Sequence, residues 1–162
     1  HYAPSKDALF ELCVAIAQGA FNEAVVAALE EPSGRAQINA FFERYAQICA
    51  GEFGRCFVAA DMRMRPGAAH ETLHVARTQL LHAVASMIRR GIGDGSIRDC
   101  EPLMVSWLLF ASFEEGAVRP MATVSEEPAS FARILLDLFF TGLSPKTPAR
   151  GERAIARHAS PY

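Results

Sequence analysis

Ile38, Phe41, Phe42, Tyr45, Ile48 and Cys49 recur at three- and four-residue steps, and Asn39, Glu43, Arg44 and Gln47 fill the positions opposite. At about 100° per residue this spacing gathers the apolar side chains into one stripe. It predicts an amphipathic helix over about Arg35 to Cys49 that must bury one face against other elements.

The same period continues on both sides. Ser5, placed to cap a helix after Pro4, opens a long segment in which Leu9, Leu12, Cys13, Ile16, Ala20, Ala24 and Leu29 recur, until "EPSG" at 31–34 stops it. Gly51 and Gly54 precede a shorter piece, "RCFVAADMRM", closed by "RPG". A third long helix is expected from about Ala69 to Arg90 on Leu73, Leu80, Leu81, Val84, Met87 and Ile88, ended by "RRGIGDGSIRDCEP". No strand-like alternation persists and nothing repeats, so the reading is an all-α helical bundle.

Two further helices differ in kind. "PLMVSWLLFASFEEGAV" is apolar on nearly every side, which predicts deep burial. "PASFARILLDLFFTGL" carries one stripe of Phe131, Ile134, Leu135 and Leu138 and another of Leu136, Phe140 and Leu143. These lie about 150° apart at the helical period. Two apolar faces require either a central helix packed all round or a partner, most simply a symmetric homodimer. On the second reading Trp107, Leu136, Phe140 and Leu143 form the dimer interface.

Composition narrows the class. A chain of 162 residues with 51% hydrophobic and 21% charged residues and a net charge of −2 fits one globular domain. It is not basic enough for the whole surface to bind nucleic acid. No signal peptide is read, and no apolar run approaches the roughly 18 residues expected of a membrane span. The four cysteines show no CxxC spacing and suggest reduced thiols in a cytoplasmic protein. Cys49 and Cys56 could share a helix face as redox or metal groups, although small core residues are the plainer reading. Residues 144–162 turn basic and lose the apolar period, as a mobile tail does. The chain opens on His1 rather than Met, and we expect it to be part of a longer protein.

"HETLH", His70 to His74, fits the H-E-x-x-H pattern in which two histidines one turn apart hold zinc and the glutamate acts as general base. The helical register places both histidines at the rim of the buried stripe and Glu71 towards solvent. A catalytic zinc needs a third ligand, and "VARTQL" after His74 offers none. Glu101, Glu114 and Glu115 are distant candidates outside any ligand-bearing motif, and no strand stands beside the helix to align a peptide. A zinc hydrolase through His70, Glu71 and His74 therefore remains an alternative, as does a metal held with His82 or a plain helical dimerisation module. We expect no metal and no cofactor, and no enzymatic activity.

The N-terminal "HYAPSKDALFELC" carries a more specific signal. It resembles the end of the DNA-binding region in TetR-type bacterial transcriptional regulators. There the recognition helix closes in a run close to "YHYFPSK", followed by the acidic, Ala-Leu start of a connecting helix. His1, Tyr2, Pro4, Ser5, Lys6, Ala8 and Leu9 match, Asp7 fits the acidic preference, and Ala3 departs where Phe is usual. The likeness in helix order extends over about 1–143, but only the first dozen residues are specific.

The resemblance implies three regions. Residues 1–30 would be the end of the DNA-binding region and the connecting helix, 31–143 a ligand-binding and dimerisation domain, and 144–162 the tail. Lys6, beside the free N–H groups of a helix start, with His1 and Tyr2, would contact the DNA backbone. Operator DNA would be a partner only of the full-length protein. The resemblance also implies a pocket for a small apolar or aromatic effector. Phe41, Phe42, Tyr45, Phe57, Met62, His74, Trp107, Phe110, Phe113 and Glu114 are its candidate lining. The expected function is a ligand-responsive regulator, most simply a repressor.

Overall fold

The computed structural model describes residues 6–60, 68–118 and 127–142. They form six helices: α1 (Lys6–Leu29), α2 (Gly34–Ala50), α3 (Glu52–Ala60), α4 (Ala68–Asp94), α5 (Pro102–Val118) and α6 (Pro128–Thr141). Among the described residues there is no strand, so the fold is all-α.

α2 is the centre of the bundle and packs against each of the other five helices. Its apolar stripe goes inward as the spacing requires: Ile38, Phe41, Phe42, Tyr45 and Cys49 are all buried. Rings from neighbouring helices close over it. Phe21 of α1 stacks on Tyr45 at 4.9 Å, and Phe113 of α5 stacks on Phe42 at 4.5 Å. Each fully buried ring contributes on the order of 1.5–3 kcal/mol through the water it sheds.

The start of α2 is seated on the end of α4. Ser33 caps the helix by accepting from the Ala36 N–H at 3.2 Å. The Asp94 carboxylate accepts from the Gly34 N–H at 2.8 Å, and the Ser96 hydroxyl from the Arg35 N–H at 3.1 Å. Hydrogen bonds from Ser96 and Gly34 hold the Asp94 carboxyl below its ordinary pKa. The buried Gln37 side chain donates to the Leu29 carbonyl at 3.1 Å, tying α2 to the end of α1. α4 runs through Gly91 and Gly93 to Asp94, four residues beyond the expected end at Arg90, and stops where Gly95 takes a φ of 77°.

Several sequence expectations change. α1 buries Val14, Ala17, Phe21, Ala24 and Ala28, while Leu9, Leu12, Ile16 and Leu29 of the expected stripe are exposed. Small residues let α1 lie close to α2, α3 and α4, and the larger aliphatics are turned outward. Ala8–Leu29 is also long and apolar enough to cross a membrane by length and composition, contrary to the reading of no such run. Its inward face packs on three helices of the bundle, but only 28% of that apolar window is buried and the larger aliphatic side chains face outward.

α5 is not buried all round: Met104, Trp107 and Leu108 are exposed on one side. The core takes members of both α6 stripes, with Phe131 and Leu135 of one packed against it partly buried and Leu136 of the other fully inside. Leu136 is 3% exposed, facing inward with Ala129 and Ala132, while Ile134 and Leu138 are 54% and 42% exposed. Phe140 is half-buried under the Arg35 guanidinium, 4.8 Å from its ring centre. Leu136 is thus consumed within the chain, which corrects its assignment to a dimer interface, and Phe140 is partly engaged in the same way. Leu143 lies outside the described residues.

Candidate functional site

A cavity of about 390 Å³ opens between α4 and α5. Tyr45 of α2 and Phe57 of α3 reach it from behind, and α5 supplies Trp107, Phe110, Ala111 and Glu114. α4 contributes His74, Arg77, Thr78, Leu80 and Leu81. Its size falls within the range of small-molecule sites, about 300–1,000 Å³, and so does its mixture of apolar wall and few polar groups.

The polar groups form one connected cluster. The Tyr45 hydroxyl donates to Glu114 Oε1 at 3.2 Å, and Arg77 Nη2 lies 3.4 Å from the same oxygen. Arg77 Nη2 also donates to the Val58 carbonyl of α3 at 3.5 Å, and its guanidinium sits 5.5 Å from the Phe57 ring centre. Arg77 therefore links α3, α4 and α5 at the cavity wall.

Behind the cluster, burial holds the Tyr45 hydroxyl well above its ordinary pKa, reinforced by neighbouring Cys49 and Glu114. Burial likewise pushes the Cys49 thiol from 9.0 up to about 12. Both groups keep their protons in the folded chain at a pH where the unfolded chain loses them. The Cys49 contribution to stability is complete below pH 9.0 and is lost as the pH rises towards about 12, and that of Tyr45 falls in the same direction from pH 10.0 upward. Thermal unfolding followed from about pH 8 to about pH 11 should show a steady fall in Tm, reduced in Cys49→Ala and Tyr45→Phe. An equally steep fall in both variants would contradict the assignment.

Of the expected lining, Tyr45, Phe57, His74, Trp107, Phe110 and Glu114 come together at this cavity. Phe41, Phe42 and Phe113 do not line it; they are fully enclosed in the aromatic core behind. Met62 lies outside the described residues. Arg77, Thr78, Leu80, Leu81 and Ala111 were not anticipated. A signal for Arg77 was present in the register, because it falls on the Leu73–Leu80–Val84 core stripe where a charge needs an inward partner.

At "HETLH" the structure places His70 half-buried and Glu71 and His74 exposed. His74 stands at the cavity, and among the described residues no three His, Cys, Asp or Glu side chains gather as a metal site. Cys49 is buried on α2 and Cys56 exposed on α3, so they share no face; the neighbour of the Cys56 thiol is Cys13 of α1. His1 and Tyr2 lie outside the described residues, and Lys6 is the first residue of α1.

No family model matches the sequence, and no curated protein matches it. The fold does have a solved counterpart, the TetR family transcriptional regulator PfmR from Thermus thermophilus. The two superpose with a TM-score of 0.75 over 87% of this chain and 78% of that one, at 18% sequence identity. The class defined at this point is one of fold: an all-α bundle of the kind seen in a TetR family regulator.

Proposed function

We propose that this chain is the effector-binding part of a TetR-type transcriptional regulator. The observation that carries the proposal is the cavity of about 390 Å³, walled by aromatic and aliphatic side chains, inside a fold shared with such a regulator. A small molecule with an apolar or aromatic body would occupy it, between Trp107 and Phe110 on one side and Leu80 and Leu81 on the other.

Two chains would associate through the apolar faces that one chain leaves uncovered, Met104, Trp107 and Leu108 on α5 with Ile134 and Leu138 on α6. α1 would connect the effector domain to DNA-reading heads in a longer protein, with His1, Tyr2 and Lys6 on the phosphate backbone. Effector binding would favour one arrangement of the helices around the cavity and shift the spacing of the two heads, releasing the operator as a repressor does. Such a protein works in the cytoplasm. The 162-residue chain alone is expected to leave operator DNA unshifted in a mobility assay.

Trp107 is the single tryptophan and lines the cavity, so its fluorescence reports occupancy. A diverse set of apolar and aromatic compounds should include one that changes that signal saturably, at one site per chain, and raises Tm. If no compound does so, the effector reading fails. Light scattering should give twice the 17.6 kDa chain mass, and the Ile134→Glu/Leu138→Glu double variant should give the single mass. A monomeric parent protein would sink the dimer proposal.

A further inference from the structure

We propose that Cys13 and Cys56 form a redox-active pair, which a peroxide converts into a disulfide that cross-links α1 to α3. Formation of the bond stands apart from the effector reading; its consequence for regulation rests on that reading.

The packing brings the two thiols together. α1 and α3 lie directly against each other, and Phe21 of α1 meets Phe57 of α3 at 5.0 Å between ring centres. One helical step of about 100° turns Phe57 into the core and leaves Cys56 on the rim of the same contact. There the Cys56 thiol donates a hydrogen bond to the Cys13 sulfur. Cys56 is exposed and Cys13 half-buried, so an oxidant reaches Cys56 first and finds the second thiol already beside it. The other two cysteines stand apart. Cys49 is buried on α2, hydrogen-bonded to Tyr45, and Cys100 lies in the link between α4 and α5.

Burial first, and then the neighbouring Cys13, holds the Cys56 thiol above its ordinary pKa, so the residue rests as a thiol. Its thiolate fraction attacks hydrogen peroxide: the O–O bond breaks, Cys56 becomes a sulfenic acid and one water leaves. The Cys13 sulfur then attacks the sulfenic sulfur, the S–S bond forms, and the Cys13 proton leaves with the hydroxyl as a second water. Two electrons pass from the thiol pair to the peroxide. A thiol reductant reopens the bond, as for the transient disulfides of a reducing compartment. The link ties α1 to the helix whose Phe57 lines the cavity and whose Val58 carbonyl accepts from Arg77. It therefore restrains the connecting helix against the cavity wall and removes movement that an effector would use.

Trypsin places each cysteine of the 162-residue chain on its own peptide, residues 7–35, 45–55, 56–63 and 99–119. The reduced chain is treated with equimolar hydrogen peroxide, its remaining thiols are blocked with N-ethylmaleimide in denaturant, and the digest is read by mass spectrometry. Peptides 7–35 and 56–63 are expected to be joined in more than about half of the chains, because thiols held in contact react far faster than separate molecules. The joined form should melt several degrees higher and show slower amide exchange in α1 and α3, and dithiothreitol should reverse both changes. Cys56→Ser should lose the joined peptide and the gain in Tm, while melting within about 2 °C of the reduced parent. Free thiols at both positions, oxidation of Cys56 without linkage, a bond between two chains, or linkage of another pair would each overturn the inference. A disulfide that leaves exchange in α1 unchanged would overturn the restraint on that helix. A compound search that finds no effector removes the regulatory consequence and leaves the joined peptide as it is.

Discussion

Replacing Gly34 with alanine is expected to lower the unfolding free energy by about 3 kcal/mol or more. A Cβ at this position would stand 2.1 Å from the Gly91 nitrogen, 2.4 Å from its Cα and 2.5 Å from the Met87 carbonyl oxygen. All three are backbone atoms of α4, so no side chain can rotate out of the way. α2 and α4 would have to separate. Separation also stretches the Gly34 bond to Asp94 at 2.8 Å and the Arg35 bond to Ser96 at 3.1 Å, which satisfy the first N–H groups of α2. Alanine favours helix over glycine by about 1 kcal/mol, which works in the opposite direction and is the smaller effect. Gly93→Ala is the control: it lies in α4 with nothing within 4 Å of the added carbon, and it should be neutral or gain up to about 1 kcal/mol. Urea unfolding of both variants decides the matter, and a Gly34→Ala protein as stable as its parent would show that the two helices do not meet at this contact.

This contact also marks a limit of what the sequence discloses. The stripe from Ile38 to Cys49 names the helix and its inward face, because a 3.6-residue period admits one arrangement of those side chains. It does not say that α2 would be the central helix. The apolar content of α5 points there instead, and only the packing reveals that Met104, Trp107 and Leu108 stay outside. Hydrophobicity measures how much surface a helix can bury, and a face left over for a partner reads the same as a face buried in the chain. α6 shows the same ambiguity. Its two stripes are legible, but which members of each go inward depends on the small residues Ala129 and Ala132 that allow close approach.

The cavity was legible by residue type and less so by position. Tyr45, Phe57, Phe110 and Glu114 are large or polar groups on inward faces, and they do meet there, together with Trp107, which is 61% exposed. What separates them from Phe41, Phe42 and Phe113 is one helical step, below the resolution of a periodicity argument. Arg77 escaped because an isolated charge on a core stripe becomes meaningful only when its partner is known. Glu114 lies on a different helix, at a distance of 3.4 Å that no spacing along the chain encodes.

The division between core and cavity has a direct consequence for Phe42. Truncating it to alanine is expected to cost about 3–5 kcal/mol, the range for a fully buried ring whose removal leaves a cavity. Its ring is fully enclosed and touches four others: Phe113 at 4.5 Å, Phe41 at 5.0 Å, Phe110 at 5.3 Å and Tyr45 at 5.8 Å between centres. Neighbours held by so many contacts cannot collapse into the space without breaking their own, so the lost packing is only partly recovered. Trp107→Ala removes a larger side chain, but one that is 61% exposed, and it should change stability in a single chain by about 1 kcal/mol or less. The two substitutions are therefore expected to rank opposite to side-chain size in denaturant unfolding. They should rank the other way in ligand binding, because Trp107 lines the cavity and Phe42 does not. A Phe42→Ala protein that unfolds at nearly the parent's denaturant midpoint would place that ring at an open wall, and the cavity would then extend behind Phe110 into the aromatic core.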